Sequence, residues 1–264
     1  MKIAVIGCGN MARAMVTQVH KFEKDIEFYT FTPSGTRAKK LAMEVGGQAI
    51  LKLVDLPECD LYLIACKPQQ LDQLVCNLEG LLKGKNIVSV LAAINLDTLS
   101  AKFESKNIIR VMPNTPSEIG LGVSLSIAHN KANDDAYESA KRFLRPCGEV
   151  IELKEEKELD ELTIFSGCGP AYLYRFALAY EKKLISMGHG KELSRRLVNQ
   201  TFLGSAQLMK NSELEISTLI NNVTSKGGVT IEAVKVLESS GLDEIVSNSV
   251  VAAINRTEQI ARET

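Results

Sequence analysis

Two glycine-rich segments have the composition and spacing of anion-binding sites, and the first lies near the start of the chain. Gly7-Cys8-Gly9-Asn10-Met11-Ala12 follows a short apolar run and opens a helical pattern, which is the setting of a G-x-G-x-x-A dinucleotide fingerprint. Gly7 permits the tight turn, Gly9 lets the backbone approach a pyrophosphate, and Ala12 allows close packing of helix on strand. The helix N-terminus at Asn10 and Met11 presents free N–H groups to the phosphates. A glycine-rich turn that binds nothing is the alternative interpretation.

The second segment runs from Thr224 to Thr230 and precedes a helix that we predict over 231–238. Gly227 and Gly228 allow backbone N–H groups to converge on a small anion, and a carboxylate suits such a site. Ser225 and Thr230 add a hydroxyl on either side. In the alternative interpretation the glycines only form a turn and Thr230 only serves as the N-cap. Both interpretations can hold together, since a hydroxyl accepts from the helix and still donates to a ligand.

The end of the second predicted strand distinguishes NAD from NADP. An NAD site needs Asp or Glu at this position for the ribose hydroxyls, whereas the segment 30–37 has no acid. The hydroxyls of Thr32, Ser34 and Thr36, together with Arg37, suit a 2′-phosphate because a guanidinium binds phosphate through charge-assisted hydrogen bonds. A solvated helix face carrying Arg37 and Lys39 is the alternative. The pattern favours NADPH and leaves tolerance of NADH open.

A third candidate cofactor contact is Cys66-Lys67-Pro68, which follows a continuous apolar strand at its carboxyl end. Ligands bind at that edge of parallel sheets. Pro68 ends the strand and restricts the backbone where it passes the cofactor. Lys67 either reaches a phosphate or ribose or is an ordinary lysine at a strand end.

The order of apolar patterns predicts two domains. Over residues 1–154 short apolar runs alternate with helical patterns, which is typical of an α/β, doubly wound parallel sheet of the Rossmann type. Over residues 155–264 helical periodicity replaces the strand-like runs, so this part is predicted to be an all-helical domain. The predicted strands are 2–6, 26–32, 61–66, 87–91, 108–112, 123–128 and 149–153.

The bulk composition excludes several classes of partner. Hydrophobic residues make up 45% and charged residues 24% of the 264 residues, as in ordinary globular proteins. Lys plus Arg total 31 against 32 Asp plus Glu, so no basic excess predicts a nucleic-acid partner. No apolar run reaches the roughly 18 residues of a membrane span. Six irregularly spaced cysteines without a C-x-x-C pair indicate a reducing, cytoplasmic setting and no metal site.

Five motifs in the same order carry a resemblance to a known family. The segment 219–238 contains a Ser-x-Gly-Gly-x-Thr core and resembles the C-terminal signature of the pyrroline-5-carboxylate reductases. Gly7 to Ala12 is similar to the opening loop of that family, and Cys66-Lys67-Pro68 to its Lys-Pro turn. Val111-Met112-Pro113-Asn114-Thr115-Pro116 resembles its Met-Pro-Asn-Thr-Pro segment, and Ser166 to Tyr172 its Ser-Gly-x-x-Pro-Ala-Tyr helix entry.

The resemblance implies an NADPH-dependent reduction of 1-pyrroline-5-carboxylate to L-proline, the last step of proline biosynthesis. It implies a Rossmann domain followed by a helical substrate-binding domain, whose helices join the chains into a homodimer or a higher homo-oligomer. Carried over from the family, Ser225, Gly228 and Val229 hold the substrate carboxylate, and Thr230 hydrogen-bonds the ring nitrogen and is the catalytic candidate. The remaining residues assigned by similarity are Gly227 for the substrate and Ala92, Ala93 and Asn114 for the cofactor.

The chain departs from the family pattern at three positions. Lys226 stands where the family has Pro, Ile94 where Gly is common, and Cys168 where Ser is common. Two other functions therefore stay open. One is a different NADPH-dependent imine or β-hydroxyacid reductase, which substrate profiling would distinguish. The other is a non-catalytic NADP-binding regulatory protein, which would bind the cofactor without turnover.

Overall fold

The computed structural model describes residues 1–263, without the side chains of 258 and 260–263. The chain divides into two compact units. The first comprises Met1–Pro170 together with the end of the last helix from Ile254, and the second comprises Ala171–Ala253.

The first unit is built on one eight-stranded sheet with the order β3-β2-β1-β4-β5-β6-β7-β8. Every neighbouring pair is parallel except β6 and β7, which are antiparallel. The order reverses between β1 and β4, which is the position where doubly wound sheets bind dinucleotides. The strands are β1 (Lys2–Ile6), β2 (Glu27–Phe31), β3 (Gln48–Ile50), β4 (Leu61–Ile64), β5 (Ile87–Ser89), β6 (Ile108–Met112), β7 (Gly122–Ala128) and β8 (Gly148–Glu152).

Helices cover both faces of the sheet and give two apolar layers. The helices of this unit are α1 (Asn10–Phe22), α2 (Thr36–Val45), α3 (Leu71–Leu78), α4 (Leu96–Phe103), α5 (Asp134–Leu144) and α6 (Glu156–Ser166). α1, α2 and α5 share one buried cluster, whereas α3, α4 and α6 share the other. Because both faces are covered, a strand such as β4 buries all its side chains and has a continuous apolar sequence.

The structure confirms the predicted Rossmann-type sheet and adds one strand. The sequence analysis missed β3, which has only three residues and follows Gly46 and Gly47 without an apolar run. The helix after β4 is short, since α3 ends where Glu79 and Gly80 take φ angles of +47° and +80°. A left-handed backbone at a helix end terminates the helical hydrogen bonding.

The second unit consists of helices in the described part of the chain. They are α7 (Gly169–Ser186), α8 (Lys191–Asn211), α9 (Ile216–Val223), α10 (Val229–Ser239) and α11 (Leu242–Glu263). The sequence predicts this helical character for the same part of the chain. The domain boundary at residue 154 stays a prediction, and in the structure α6 packs on β7 and belongs to the first compact unit.

Among the described residues, no helix combines the length and the apolar character needed to cross a bilayer. The same part of the chain contains no cluster of three or more His, Cys, Asp and Glu side chains suited to a metal ion.

Candidate active site

The predicted cofactor residues lie in five loops at one edge of the sheet. These loops follow β1, β2, β4, β5 and β6, which run parallel, so their carboxyl ends meet at the same edge. The five loops contain Gly7 to Ala12, Thr32 to Arg37, Cys66 to Pro68, Ala92 to Ala93, and Asn114. The fold therefore brings together every cofactor residue that the sequence analysis selected.

The turn after β1 has the backbone geometry that a dinucleotide loop requires. Gly7 has a φ of +102°, and a Cβ on this residue would lie 2.4 Å from the carbonyl carbon of Ala65, so only glycine fits. A Cβ on Gly9 would meet nothing within 4 Å, which leaves this backbone open to a ligand. Gly9 is the N-cap of α1, whose first turn has neither a side-chain cap nor an acidic residue. The unpaired N–H groups are thus available to a pyrophosphate.

Two thiols lie at this edge, and burial keeps both protonated. Burial raises the pKa of Cys8 to about 12, against a smaller opposing effect of a backbone hydrogen bond with Phe31. Burial likewise raises the pKa of Cys66 to about 11. A thiolate is the nucleophilic form of cysteine, so neither residue is suited to covalent catalysis near neutral pH.

The loop after β2 suits a phosphate better than a ribose hydroxyl pair. The Thr32 hydroxyl is buried and has no hydrogen-bond partner among the described residues, although a buried polar group normally has one. Gly35, with a φ of +70°, is the N-cap of α2, which also lacks a side-chain cap and a first-turn acid. Ser34 and Arg37 are exposed on the same turn. Within the described chain Arg37 forms no ion pair, so its guanidinium is free to bind an anion.

The loop after β4 begins a short 3-10 turn over Pro68–Gln70, for which Lys67 is the N-cap. The Lys67 backbone N–H donates to the Gln70 side-chain oxygen at 3.2 Å, while its own side chain points to solvent without an ion pair in the described region. The structure is compatible with both interpretations of Lys67.

The predicted cofactor residues in the loops after β5 and β6 differ in their exposure to solvent. Ala92 is exposed, and Ala93 has a φ of +62°, a left-handed conformation that costs an alanine about 1–2 kcal/mol. Asn114 is only 7% exposed, and its side chain is already used. Its Nδ2 donates to the Ser166 carbonyl at 3.0 Å, and its Oδ1 accepts from the Val123 N–H at 2.8 Å. The Asn114 side chain thus also fixes the structure of its own loop.

The predicted substrate loop lies in the second unit and forms a type II turn. The Gly228 N–H donates to the Ser225 carbonyl at 2.9 Å, Gly227 has a φ of +75°, and Lys226 occupies the preceding position at negative φ. A Cβ on Gly228 would lie 2.4 Å from the Ser225 hydroxyl oxygen, so a larger residue here would force the Ser225 side chain to move.

Thr230 is not the N-cap of α10, and that alternative interpretation is wrong. Gly228 caps the helix without a side-chain hydrogen bond, and Thr230 is the second helical residue. In the described chain the hydroxyls of Ser225 and Thr230 have no hydrogen-bond partner, and both residues are exposed. The one acid of the first turn, Glu232, is paired with Lys235 at 2.7 Å. This helix terminus therefore presents free N–H groups and two free hydroxyls.

The sequence analysis missed a buried ion-pair network beneath the loops after β5 and β6. Arg110 lies in β6 with its side chain only 1% exposed, and it pairs with Glu156 and Asp160 of α6. A charged residue inside the otherwise apolar strand 108–112 was the signal in the sequence, because a buried guanidinium requires partners.

The residues at the sheet edge fit an NADP dinucleotide. The open backbone at Gly9 faces an uncapped helix N-terminus, and the unpaired Thr32 hydroxyl and Arg37 guanidinium lie at the end of β2. These donors suit a pyrophosphate and a 2′-phosphate, and neither the loop after β1 nor the loop after β2 carries a carboxylate that would repel them.

Comparison with known proteins gives the same assignment. Residues 156–260 match the family described as pyrroline-5-carboxylate reductase dimerisation, and residues 2–93 match the family described as NADP oxidoreductase coenzyme F420-dependent. Pyrroline-5-carboxylate reductase of Vibrio alginolyticus is 34% identical, with 99% of this chain and 98% of the relative covered. The Synechocystis enzyme of the same name is 30% identical, with 99% of each chain covered.

Solved structures agree over almost the whole chain. Plasmodium falciparum pyrroline carboxylate reductase with NADP bound is 28% identical and gives a TM-score of 0.87, with 99% of this chain and 98% of that chain covered. A pyrroline-5-carboxylate reductase from Coxiella burnetii, also 28% identical, gives a TM-score of 0.85, with 97% of each chain covered. The match in sequence and fold extends across both units, and the chain belongs to the pyrroline-5-carboxylate reductase family.

Proposed function

We infer that this protein reduces 1-pyrroline-5-carboxylate to L-proline with NADPH, as the last step of proline biosynthesis. The observation that carries this conclusion is the 34% identity to a pyrroline-5-carboxylate reductase over 99% of the chain. A match of that length includes both the sheet edge and the loop before α10. The reductase function therefore does not rest on the Rossmann fold alone.

We assign the substrate carboxylate to the N-terminus of α10. The Val229 backbone N–H and the Ser225 hydroxyl would bind it beside Gly228, whose own N–H closes the turn, and Gly227 would allow the turn that exposes them. Support comes from the missing side-chain cap and from Val229, which is 90% exposed. An uncapped helix N-terminus attracts an anion through its free N–H groups and its dipole.

Thr230 would contact the ring nitrogen of the substrate. Its hydroxyl has no partner in the described chain, so it is free to hydrogen-bond a ligand. Bound NADPH supplies the hydride for the imine carbon. The chain itself then needs only to fix the ring by two points, the carboxylate and the nitrogen, so that orientation provides much of the rate. No strong acid or base is required, because a protonated iminium is already electrophilic.

We assign the cofactor to the five loops of the sheet edge. Gly7 to Ala12 would hold the pyrophosphate, and Thr32, Ser34 and Arg37 the 2′-phosphate. Lys67 would reach a phosphate or ribose beside Cys66 and Pro68, and Ala92, Ala93 and Asn114 would line the other half of the dinucleotide. The position of these loops at the point where the strand order reverses supports this assignment.

The helical region would join chains into a homodimer or a higher homo-oligomer. The match of residues 156–260 to a dimerisation family supports self-association. Many large apolar side chains of the second unit are exposed in the single chain, among them Leu173, Phe176, Leu197 and Leu208. Such surfaces are typical of subunit contacts. We place the reaction in the cytoplasm, which six free cysteines support.

The test is the loss of NADPH absorbance when purified protein meets 1-pyrroline-5-carboxylate. NADH and 1-pyrroline, the same ring without its carboxylate, serve as matched controls. We expect rapid loss with NADPH and the carboxylated ring, and a much slower reaction with 1-pyrroline because the α10 terminus is left without its anion. Equal rates with both rings would contradict the carboxylate site, and NADPH binding without any turnover would contradict the reductase function.

A further inference from the structure

Arg110 forms a buried ion-pair network with two acids of α6. Its Nη1 lies 2.7 Å from Glu156 Oε1, and its Nη2 lies 2.7 Å from Asp160 Oδ1. The Arg110 side chain is 1% exposed, whereas those of Glu156 and Asp160 are 28% and 46% exposed. Burying a guanidinium carries a large desolvation cost, so such a pair is weak grounds for stability by itself. The network calls for another explanation.

Glu156 differs from Asp160 in one contact. The oxygen that accepts from Arg110 also accepts from the backbone N–H of Leu96, at 2.8 Å. Leu96 is the first residue of α4 and directly follows the loop that contains Ala92 and Ala93. Arg110 therefore holds a carboxylate that in turn holds the end of a predicted cofactor loop.

The far end of α6 is attached to the neighbouring loop. The Ser166 carbonyl, about 15 Å along the helix from Glu156, accepts from Nδ2 of Asn114 in the loop after β6. α6 thus contacts both loops that line one half of the predicted dinucleotide site. A rigid helix attached at both ends fixes their separation.

The loop held by Glu156 is in a conformation that it would not adopt freely. Ala93 has a φ of +62°, which is unfavourable for any residue with a Cβ. Such conformations persist only where the surrounding structure imposes them, and they concentrate at functional sites. The hydrogen bond from the Leu96 N–H to Glu156 attaches the end of this loop to the buried network.

We propose that Glu156, held in place by Arg110, is a positioning residue for hydride transfer. It touches neither substrate nor cofactor, and it acts through Leu96 by setting the Ala92–Ala93 loop against the nicotinamide half of NADPH. This inference rests on the proposed function, which assigns that loop to the cofactor. Asp160 shares the pairing with Arg110 but lacks the contact with Leu96, so it has a structural part only.

The two acids give a matched pair of variants in the full-length protein. Glu156→Ala and Asp160→Ala each remove one carboxylate from Arg110, and only the first releases the loop. We expect Glu156→Ala to lower kcat by about 10- to 100-fold, because a misplacement of about 1 Å can cost that much. It should also raise the Kd for NADPH at least threefold, measured by nicotinamide fluorescence. Asp160→Ala should stay within about twofold of wild type in both quantities.

A deuterium isotope effect separates positioning from loss of fold. With NADPH deuterated at both C4 positions, Glu156→Ala should show a larger effect on kcat than wild type, since hydride transfer has become slower. Glu156→Gln keeps an oxygen for the Leu96 N–H and should recover most of the lost kcat. If the alanine variants do not fold, Glu156→Met and Asp160→Asn take their place, since methionine keeps the length of the side chain and removes both carboxylate oxygens from the Leu96 N–H. Glu156→Met should then reproduce the kinetic loss.

Equal loss of kcat in Glu156→Ala and Asp160→Ala would overturn the proposal, as would a folded Glu156→Ala or Glu156→Met protein with wild-type kcat and Kd. Failure of the proposed function gives a different result, in which the wild type binds NADPH but does not turn over 1-pyrroline-5-carboxylate. In that case the NADPH affinities of the variants still decide whether Glu156 positions the loop.

Discussion

Replacing Arg37 by glutamine should change cofactor preference rather than general activity. Arg37 is the second residue of α2, is exposed, and forms no ion pair in the described part of the chain. The first turn of α2 has no acid, so no neighbouring carboxylate of that turn neutralises the guanidinium. Its charge is therefore available to the 2′-phosphate of NADPH, a group that NADH lacks.

The magnitude follows from the kind of contact. A hydrogen bond to a charged group contributes about 1.5–3 kcal/mol. Because Arg37 is exposed to solvent, we take the lower half of this range, about 1.5–2 kcal/mol, which corresponds to about a 10- to 30-fold change. The kcat/KM for NADPH should fall by that factor, while the kcat/KM for NADH should change by less than about twofold.

The assay is steady-state oxidation of each cofactor at a fixed concentration of 1-pyrroline-5-carboxylate. Lys39→Gln is the matched control, because it removes one positive charge from the same helix on a different face. Its kcat/KM for NADPH should stay within about twofold of wild type. The reasoning is refuted if Arg37→Gln lowers both cofactors equally, or if Lys39→Gln has the same effect as Arg37→Gln.

Four further changes test other parts of the structure. Thr230→Ala should lower kcat by about 10- to 100-fold while the protein stays folded, since the hydroxyl has no partner in the described chain; unchanged kinetics would exclude its role. Lys226→Pro should raise the free energy of unfolding by about 0.4–1 kcal/mol in urea titrations, because proline suits this position of a type II turn; a loss of stability would contradict the turn assignment. Ala93→Gly should raise the free energy of unfolding by up to about 1 kcal/mol, because glycine relieves the left-handed strain. This relief exceeds the entropy that glycine adds to the unfolded chain. A decrease in the free energy of unfolding would count against that strain. Iodoacetamide at about pH 8 should alkylate the exposed Cys76 and leave Cys8 unmodified, as measured by mass spectrometry. The reason is that burial raises the pKa of Cys8 to about 12 and keeps its thiol protonated. Equal labelling of the two cysteines would contradict this burial.

Local patterns in the sequence were sufficient to predict every strand of the sheet except β3. The continuous apolar run at Leu61 marks a strand buried on both faces, and the G-x-G-x-x-A spacing at Gly7 marks a strand-turn-helix. Both signals come from residues within a few positions of one another. The short strand β3 was missed for the same reason, since three residues beside two glycines carry no pattern and form a strand only by pairing with β2.

Part of the chemistry of the candidate site could also be predicted from the sequence. The missing acid near Thr32 and the presence of Arg37 predict NADPH, and the Ser225–Thr230 loop predicts an anion site. The structure contradicts only the N-cap alternative for Thr230, because the N-cap proved to be Gly228. Which residue caps a helix depends on where its backbone first turns helical, and sequence predicts such boundaries poorly.

The contacts between distant parts of the chain were decided by tertiary structure alone. Arg110, Glu156 and Leu96 are separated by up to 60 residues, and no periodicity links a strand arginine to a helix acid and a loop N–H. Asn114 likewise resembles a free ligand in the sequence, yet its amide is bonded to Ser166 and Val123. Residue types and spacings therefore determined the fold class and the ligand chemistry, because these depend on local backbone preference and burial. Which loops are held, and by which buried charge, depends on groups that meet only after the sheet and its helices have packed.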